Sequence, residues 1–508
     1  MSIAAIVVGL IAVALADRRW LLVAQREHYL AGSATRFALR WWRIGPNRVL
    51  AAAAVLGVGL SPLTPVAGLV GVLAVAVGPF GFPTRPHSPG PLVWTTRLRA
   101  VAATVAGAQL VVAAGAVLLG AGVPVVGLLA LLAPAAVDGA LAALAPVEDR
   151  RASRFVEQAS ARLQAVAPDV VAITGSFGKT TTKAYAAHLM AGTKRVVPSP
   201  ASFNNRAGLS RAVNEHLSPG TEVFIAEMGT YGRGEIARLV EWCHPRVSAI
   251  TAIGPVHLER FGTEDEVVRA KAEIFEGAEI AVLNVDDARL AALADGLARA
   301  GRTVVRCSSS DRSADVAALD DGGRLALVRR GELVADVALP DAALGNVAVA
   351  AALAFAVGVP SDAVGAAVAS LPPVPNRRTL TELSTGAVAV DDTFNSNPAG
   401  CRAALATLTA HATRDGRRVV VTPGMVELGP VQAEENRAWA ALAAGAATHL
   451  VLVGITNRRA MLAGAREVTE GAAVIVVDRH DQAVAWARAH TGPGDVVLYE
   501  NQLPDHYP

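Results

Sequence analysis

The stretch from Val170 to Lys183 constrains this chain more than any other. A β-branched apolar run, Val170-Val171-Ala172-Ile173-Thr174, leads into Gly175-Ser176-Phe177-Gly178 and then Lys179-Thr180-Thr181-Thr182-Lys183, with a helix-prone segment, Ala184 to Met190, behind it. Strand, glycine turn and helix in that order form the frame of a phosphate-cradling loop. The glycines let backbone N–H groups approach phosphate oxygens, and the helix N-terminus adds the positive end of its dipole. Lys179 is placed to reach the β- and γ-phosphates, and the Thr180 hydroxyl to ligate Mg²⁺. Gly175, Ser176, Gly178 and Thr181 complete the candidate ATP cradle. The spacing is G-x-x-G-K-T, with Ile173 where a longer loop of this kind has its first glycine.

Downstream, apolar strand candidates alternate with helical ones. Val170–Thr174, Glu222–Met228, Val247–Ile253, Ile280–Asn284 and Thr303–Cys307 read as strands, with helices between them such as Ala207–His216 and Glu264–Glu276. The alternation predicts an α/β domain over residues 151–370, a parallel sheet covered by helices on both faces. Ligands then collect at the C-terminal strand ends. Glu227 ends one such strand, His257 follows another, and Lys271 lies one helix later. Residues 309 to 340 read as short antiparallel strands, and Asn346 opens a further helix. A Pro-rich hinge, Pro372-Pro373-Val374-Pro375, precedes Arg377. Residues 371–508 then alternate again, with strands at Val419–Thr422, Leu450–Val453, Val474–Val477 and Val496–Leu498, as in a Rossmann-like unit.

Residues 1–150 are of another kind. Hydrophobic residues make up 52% of the 508, and mean hydropathy is +0.39, which directs attention to membrane segments. Ser2–Ala16, Val49–Phe82 (broken at Ser61-Pro62-Leu63-Thr64-Pro65), Val101–Leu119 and Val123–Ala145 are apolar, and the Arg-bearing segments Asp17–Arg48 and Thr84–Arg99 alternate with uncharged turns. The pattern predicts an all-α, multi-span membrane region of about five helices, with the chain from Glu148 onward cytoplasmic. Asp138 is then an intramembrane acid, functional or facing water at a helix end. A net charge of +2 gives no general nucleic-acid footprint. Cys243, Cys307 and Cys401 are too scattered for a disulfide framework or a zinc site.

The ordered set Thr174-Gly175-Ser176-Phe177-Gly178-Lys179-Thr180, Asn204-Asn205, Glu227-Met228-Gly229, His257-Leu258-Glu259-Arg260-Phe261-Gly262 and Ala270-Lys271-Ala272-Glu273-Ile274-Phe275 resembles the central domain of the Mur ligases. These are ATP-dependent amide-forming enzymes of peptidoglycan synthesis, and the pattern is most like their D-alanyl-D-alanine-adding branch. Val390-Asp391-Asp392-Thr393-Phe394-Asn395-Ser396-Asn397-Pro398 and Met425-Val426-Glu427-Leu428-Gly429 resemble motifs of the C-terminal domain. The resemblance implies that Lys179 and Thr180 hold the ATP phosphates and one Mg²⁺. It implies that Glu227 and His257 ligate metal, and that Lys271 is a site of carbamylation supporting a second Mg²⁺; an unmodified Lys271 pairing with phosphate is the alternative. It further implies that Asn204 and Asn205 line the substrate side, and that Asn346, Arg377, Asp392 and Asn395 contact nucleotide.

Three departures stand out. Gly345 and Val349 replace a His and an Asn of the family's H-N-x-x-N pattern, Asn376 replaces a Gly before Arg377, and the family's basic Lys-Gly-Ser-Arg end is replaced by Glu500-Asn501-Gln502. The family normally begins with a soluble domain that grips the UDP-sugar, where this chain has apolar helices. The expectation is a multi-pass cell-membrane ligase with cytoplasmic catalytic domains. It would act through an acyl phosphate to join a small-molecule or lipid-linked carboxylate acceptor to an amino acid or dipeptide. A poly-γ-glutamate-type synthase is the rival enzyme, and a membrane transport ATPase the rival of another class.

Overall fold

The computed structural model describes residues 2–82, 92–201, 203–340, 342–375, 377–394 and 396–508; Arg85, Asn376 and Asn395 fall outside the described residues. The chain divides into two compact units, Met1–Arg151 with Leu503–Pro508, and Ala152–Gln502.

The first unit is all helical: α1 (Ser2–Arg26), α2 (Ser33–Trp42), α3 (Asn47–Leu60), α4 (Pro65–Val77), α5 (Thr96–Leu118), α6 (Gly122–Leu131) and the first part of α7 (Ala133–Val166), whose residues from Ala152 belong to the second unit. Among the described residues seven helices stand where about five were expected. Among the described residues only α5 is by itself long and apolar enough to cross a membrane; Pro124–Leu131 with Ala133–Val166, bent by 67°, passes as a pair. The difference has local causes. α1 does not stop at Ala16 but carries Asp17, Arg18 and Arg19 in its interior. α3 and α4 have 14 and 13 residues, short of the ~20 that a span needs. They pack as a tight hairpin, because a Cβ on Gly57 would lie 2.6 Å from the Ala67 carbonyl oxygen and one on Gly71 2.7 Å from the Val58 nitrogen. Two carboxylates inside the bundle are partnered. Gln109 on α5 donates to Asp17 on α1 at 3.1 Å. Asp138 does not face water: it is buried, and its carboxylate accepts from the Ala34 and Thr35 N–H groups at 3.2 and 2.8 Å, capping α2.

The last six residues belong to this unit. Trp41 Nε1 donates to the His506 carbonyl at 2.9 Å, the His506 ring hydrogen-bonds Glu27 at 2.9 Å, and the Phe37 ring meets the His506 and Tyr507 rings edge-on at 4.6 and 4.9 Å.

The second unit holds two mixed sheets. Its first strands are β1 (Asp169–Thr174), β2 (Val196–Pro198), β3 (Val223–Glu227), β4 (Val247–Ile250), β5 (Ile280–Asn284), β6 (Thr303–Ser308), β7 (Val316–Asp320), β8 (Arg324–Arg329) and β9 (Glu332–Ala338), in the spatial order β2-β3-β1-β4-β5-β6-β7-β8-β9. β2 through β7 run parallel, and β8 and β9 extend the edge antiparallel. Both faces are buried. Helix Leu344–Ala356, buried from Val347 to Phe355, covers one face, while Leu209, Val213, Ile236 and Leu239 cover the other. The C-terminal part of α7 joins that second layer through Val156, Ala159 and Leu163.

The other sheet contains β10 (Thr379–Glu382), β11 (Val388–Asp392), β12 (Arg418–Thr422), β13 (His449–Val453), β14 (Ala473–Val477) and β15 (Val496–Glu500), ordered β10-β11-β15-β12-β13-β14. Only β10 is antiparallel. Because β15 returns between β11 and β12, strand order reverses there, and Asp392 and Glu500 stand side by side at the strand ends. The three cysteines are free and buried.

Candidate active site

The phosphate loop forms as its sequence requires. β1 ends at Thr174, the loop turns through Gly175 (φ +159°) and Gly178 (φ +82°), and α8 (Lys179–Ala191) begins at once. Only glycine fits these two positions. A Cβ on Gly175 would lie 2.0 Å from the Thr251 hydroxyl, and one on Gly178 2.4 Å from the Asn346 side-chain oxygen. Asn346 therefore abuts the cradle although two of its pattern partners are replaced. The loop is pinned to the end of β4: Ser176 N–H donates to the Ala252 carbonyl at 2.8 Å, and the Thr251 hydroxyl to the Phe177 carbonyl at 2.5 Å. Ser176 also takes the Gly254 N–H on its hydroxyl at 3.1 Å. Thr181, half-buried, lies in the first turn of α8.

Lys179 and Lys271 converge on one acceptor. Their ammonium groups donate to the Gly175 carbonyl at 2.7 and 3.0 Å. Burial pushes the Lys179 pKa down, Glu227 opposes the shift, and Arg377 adds to it. Burial lowers Lys271 well below the ordinary lysine range, and the Lys179 charge lowers it further. An amine held toward its neutral form is the chemical state that can add CO₂.

Glu227 is the hub. It ends β3 opposite Ile173 in register, which sets it beside the loop. One carboxylate oxygen accepts from the Thr180 hydroxyl at 3.0 Å and the Lys183 ammonium at 2.8 Å, the other from the Asn204 amide at 3.3 Å. Burial alone would raise its pKa; Lys183, Lys179 and the hydrogen bonds of Lys183 and Thr180 outweigh that and hold it below the usual carboxylate range. Asn205, next in the chain, caps helix Arg206–His216 by accepting the Gly208 N–H at 2.9 Å. That bond occupies its side-chain oxygen.

The second domain supplies the rest. Arg377 stacks on Phe394 at 4.4 Å. Burial lowers its pKa, and Asp392 and Glu227 raise it, so the guanidinium lies within electrostatic reach of both domains' carboxylates. Asp392 is pushed up to about 6 by burial and the Glu500 charge, with Arg377 and Arg378 opposing. Glu500 is buried, and Ser396, Thr422 and Cys401 donate to it. His257, at φ +56°, hydrogen-bonds through Nδ1 to Glu427 of the C-terminal domain.

The site residues fit Mg²⁺. The ion takes one or two protein carboxylates and completes its shell with phosphate and water oxygens, and Thr180 Oγ1 beside Glu227 Oε2 offers a hard-oxygen pair. Among the described residues no group of three or more His, Cys, Asp and Glu forms a metal cage by itself.

Three residues have structural roles here that sequence reasoning did not give them. Lys183 lies one helical turn after Lys179, so an i,i+4 reading of α8 finds it. Thr251 directly follows β4. Glu427 was visible only inside a quoted motif.

This equipment defines a P-loop enzyme that handles a nucleoside triphosphate between two α/β domains. The comparisons with known proteins narrow the class. The family described as Mur ligase middle domain matches residues 173–354, and that described as Mur ligase, glutamate ligase domain, matches 376–499. The UDP-N-acetylmuramoyl-tripeptide–D-alanyl-D-alanine ligase of Mycobacterium tuberculosis is 32% identical over 371 residues, 68% of this chain and 72% of that one. Its Escherichia coli counterpart is 31% identical over 56% of this chain and 63% of that protein. Among solved structures, MurF from Acinetobacter baumannii superposes with a TM-score of 0.60 at 24% identity, covering 69% of this chain and 77% of that one. The MurF ligase of Thermotoga maritima in complex with ADP gives 0.57 at 23%, covering 69% and 80%. The chain belongs to the Mur ligase family, as an ATP-dependent acid–amino-acid ligase. Residues 1–150 lie outside both family matches.

Proposed function

We propose that the chain is a MurF-like peptide ligase of peptidoglycan precursor synthesis, and that its acceptor is membrane-associated. The relatives' names give a UDP-N-acetylmuramoyl-peptide as acceptor and D-alanyl-D-alanine as amine. The observation that carries the ligase reading is the Thr180–Glu227 pair beside Lys179, with Arg377 brought from the second domain.

A carboxylate is a poor acyl donor. An acceptor carboxylate oxygen attacks the γ-phosphorus of ATP, the bond to the β-phosphate bridging oxygen breaks, and ADP leaves. The amine nitrogen then attacks the acyl carbon, the carbon–oxygen bond to phosphate breaks, and the nitrogen loses a proton to give the amide. Lys179 and Arg377 offset charge on the migrating phosphoryl group. Thr180 and Glu227 would hold Mg²⁺, which neutralises phosphate charge when bound. Arg377 follows the Pro372–Pro375 hinge, so domain closure completes the site. Lys271, if carbamylated, changes from a cation to an anion able to support a second ion.

Two features support a membrane acceptor. The helical region lies outside the family matches, and it presents exposed apolar side chains such as Val111 (74%) and Leu118 (88%) on α5 and Leu119 (87%) just past it. On this reading that region seats in the cell membrane and the catalytic domains are cytoplasmic. Glu500, where relatives carry a basic element, leaves the amine to be found by screening.

The test is purification in detergent with Mg-ATP, offering amino acids and D-dipeptides against UDP-linked and lipid-linked acceptors. Amide formation on lipid-linked acceptors supports the reading. Activity confined to the soluble UDP-tripeptide refutes the membrane-acceptor part, and polymerisation of glutamate would replace the function.

A further inference from the structure

The His257–Glu427 contact joins two domains through two residues in unusual backbone states. His257 has φ +56° and Glu427 φ +63°, both in the left-handed region that side-chain-bearing residues rarely adopt. Such conformations persist where the surroundings over-determine them, and they cluster at functional sites. Here the surroundings are specific. His257 Nδ1 bonds Glu427 Oε2, while Arg260 Nη2 stands 3.9 Å from the other carboxylate oxygen. Tyr231 packs edge-on against the His257 ring at 5.1 Å, and the Arg260 guanidinium lies over the Tyr231 ring at 4.5 Å. His257, Arg260 and Tyr231 come from the middle domain, and Glu427 comes from the loop after β12. A carboxylate that accepts a hydrogen bond from the Nδ1–H of an imidazole fixes both tautomer and ring orientation, leaving Nε2 as the lone-pair nitrogen. Metal-ligating histidines are commonly held in this way.

We propose that Glu427 is a positioning residue of this ligase. Delivered by the C-terminal domain, it orients His257 as an Nε2 donor for Mg²⁺ only when the two domains are closed. Metal affinity and domain closure are thereby coupled through one hydrogen bond. The inference rests on the proposed ligase function and on the reading of His257 as a metal ligand that the family resemblance implies.

The experiment uses the full chain in detergent. Mg²⁺ binding in the presence of ADP is measured by calorimetry for the unaltered protein, Glu427→Ala, Glu427→Gln, His257→Ala and the Glu427→Ala/His257→Ala double variant, alongside each variant's apparent Tm without Mg²⁺. Amide formation by the unaltered protein is measured first, so that failure of the proposed function shows there and not in the variants. The expected result is a ~10–100-fold weaker Mg²⁺ affinity for Glu427→Ala. Glu427→Gln, whose amide oxygen still accepts the Nδ1 proton, stays within about 3-fold of the unaltered protein. In the His257→Ala background Glu427→Ala adds nothing. Equal losses for the Gln and Ala variants, an undiminished Glu427→Ala effect without His257, or unchanged Mg²⁺ affinity in Glu427→Ala would each overturn the proposal. If His257→Ala also binds Mg²⁺ normally, the ligand role of His257 falls with it.

Discussion

Lys183 and Glu227 are both buried, with side chains 6% and 2% exposed, and they meet at 2.8 Å. Removing one partner of such a pair strands the other charge, at a cost of about 3–5 kcal/mol. Lys183→Met is therefore expected to lower the apparent Tm clearly, as well as to disturb the metal-side carboxylate. Lys179→Ala and Glu227→Ala are expected to abolish ATP-dependent amide formation, read as loss of amine-dependent phosphate release; full activity in either variant would remove these residues from the site. Asp392 gives a pH signature. Its folded pKa, about 6, lies above the ordinary 3.8, so its protonated form favours the fold. That stabilisation is complete below the unfolded value and is lost as pH rises through about 6. The loss at neutral pH is on the order of 3 kcal/mol. Asp392→Asn is expected to raise the apparent Tm at pH 8, with the gain shrinking steadily as pH falls below 6. A gain that grows on acidification would contradict the assignment.

Elements were legible where burial pattern and period agree. β1 and β3 to β6 each fall within three residues of their sequence-based bounds, because apolar runs buried on both sheet faces leave few alternatives. The three-residue β2 was missed because Val196–Pro198 is too short to show a period and contains a proline. In the helical region composition misled on span count. Alanine- and glycine-rich segments are apolar over long stretches, yet α1 absorbs three charged residues, the Arg-bearing stretch forms α2, and the run from Val123 to Ala145 breaks at Leu132 between α6 and α7. The α3–α4 hairpin yields its own test. Gly71→Val puts a side chain where backbone already lies 2.7 Å away, and overpacking of this kind costs about 1–3 kcal/mol. Gly71→Val is expected to lower the apparent Tm of the detergent-purified chain; an unchanged Tm would contradict the close packing. Removing residues 503–508 exposes Phe37 and Trp41 and leaves Glu27 without His506. Faster proteolysis between α1 and α2 is the expected outcome.

Over the whole molecule, the parts of the site contributed by one short stretch were the most legible. Lys179, Thr180 and their glycines follow from local sequence, since strand, turn and helix fix their geometry. Contacts assembled from distant segments were not: Lys183 with Glu227, Lys271 with the Gly175 carbonyl, and His257 with Glu427 need the sheet order and the second domain before they meet. Asn205 illustrates the same limit, because an amide beside a site is equally suited to capping the next helix. The central claim is that this site couples ATP cleavage to amide formation. It is tested most directly by following phosphate release and amide product together, with the detergent-purified chain, Mg-ATP, a carboxylate acceptor and an amine. One phosphate per amide, dependent on both substrates and absent in Lys179→Ala, is the expected result. Phosphate release that ignores the amine, or survives Lys179→Ala, would contradict it.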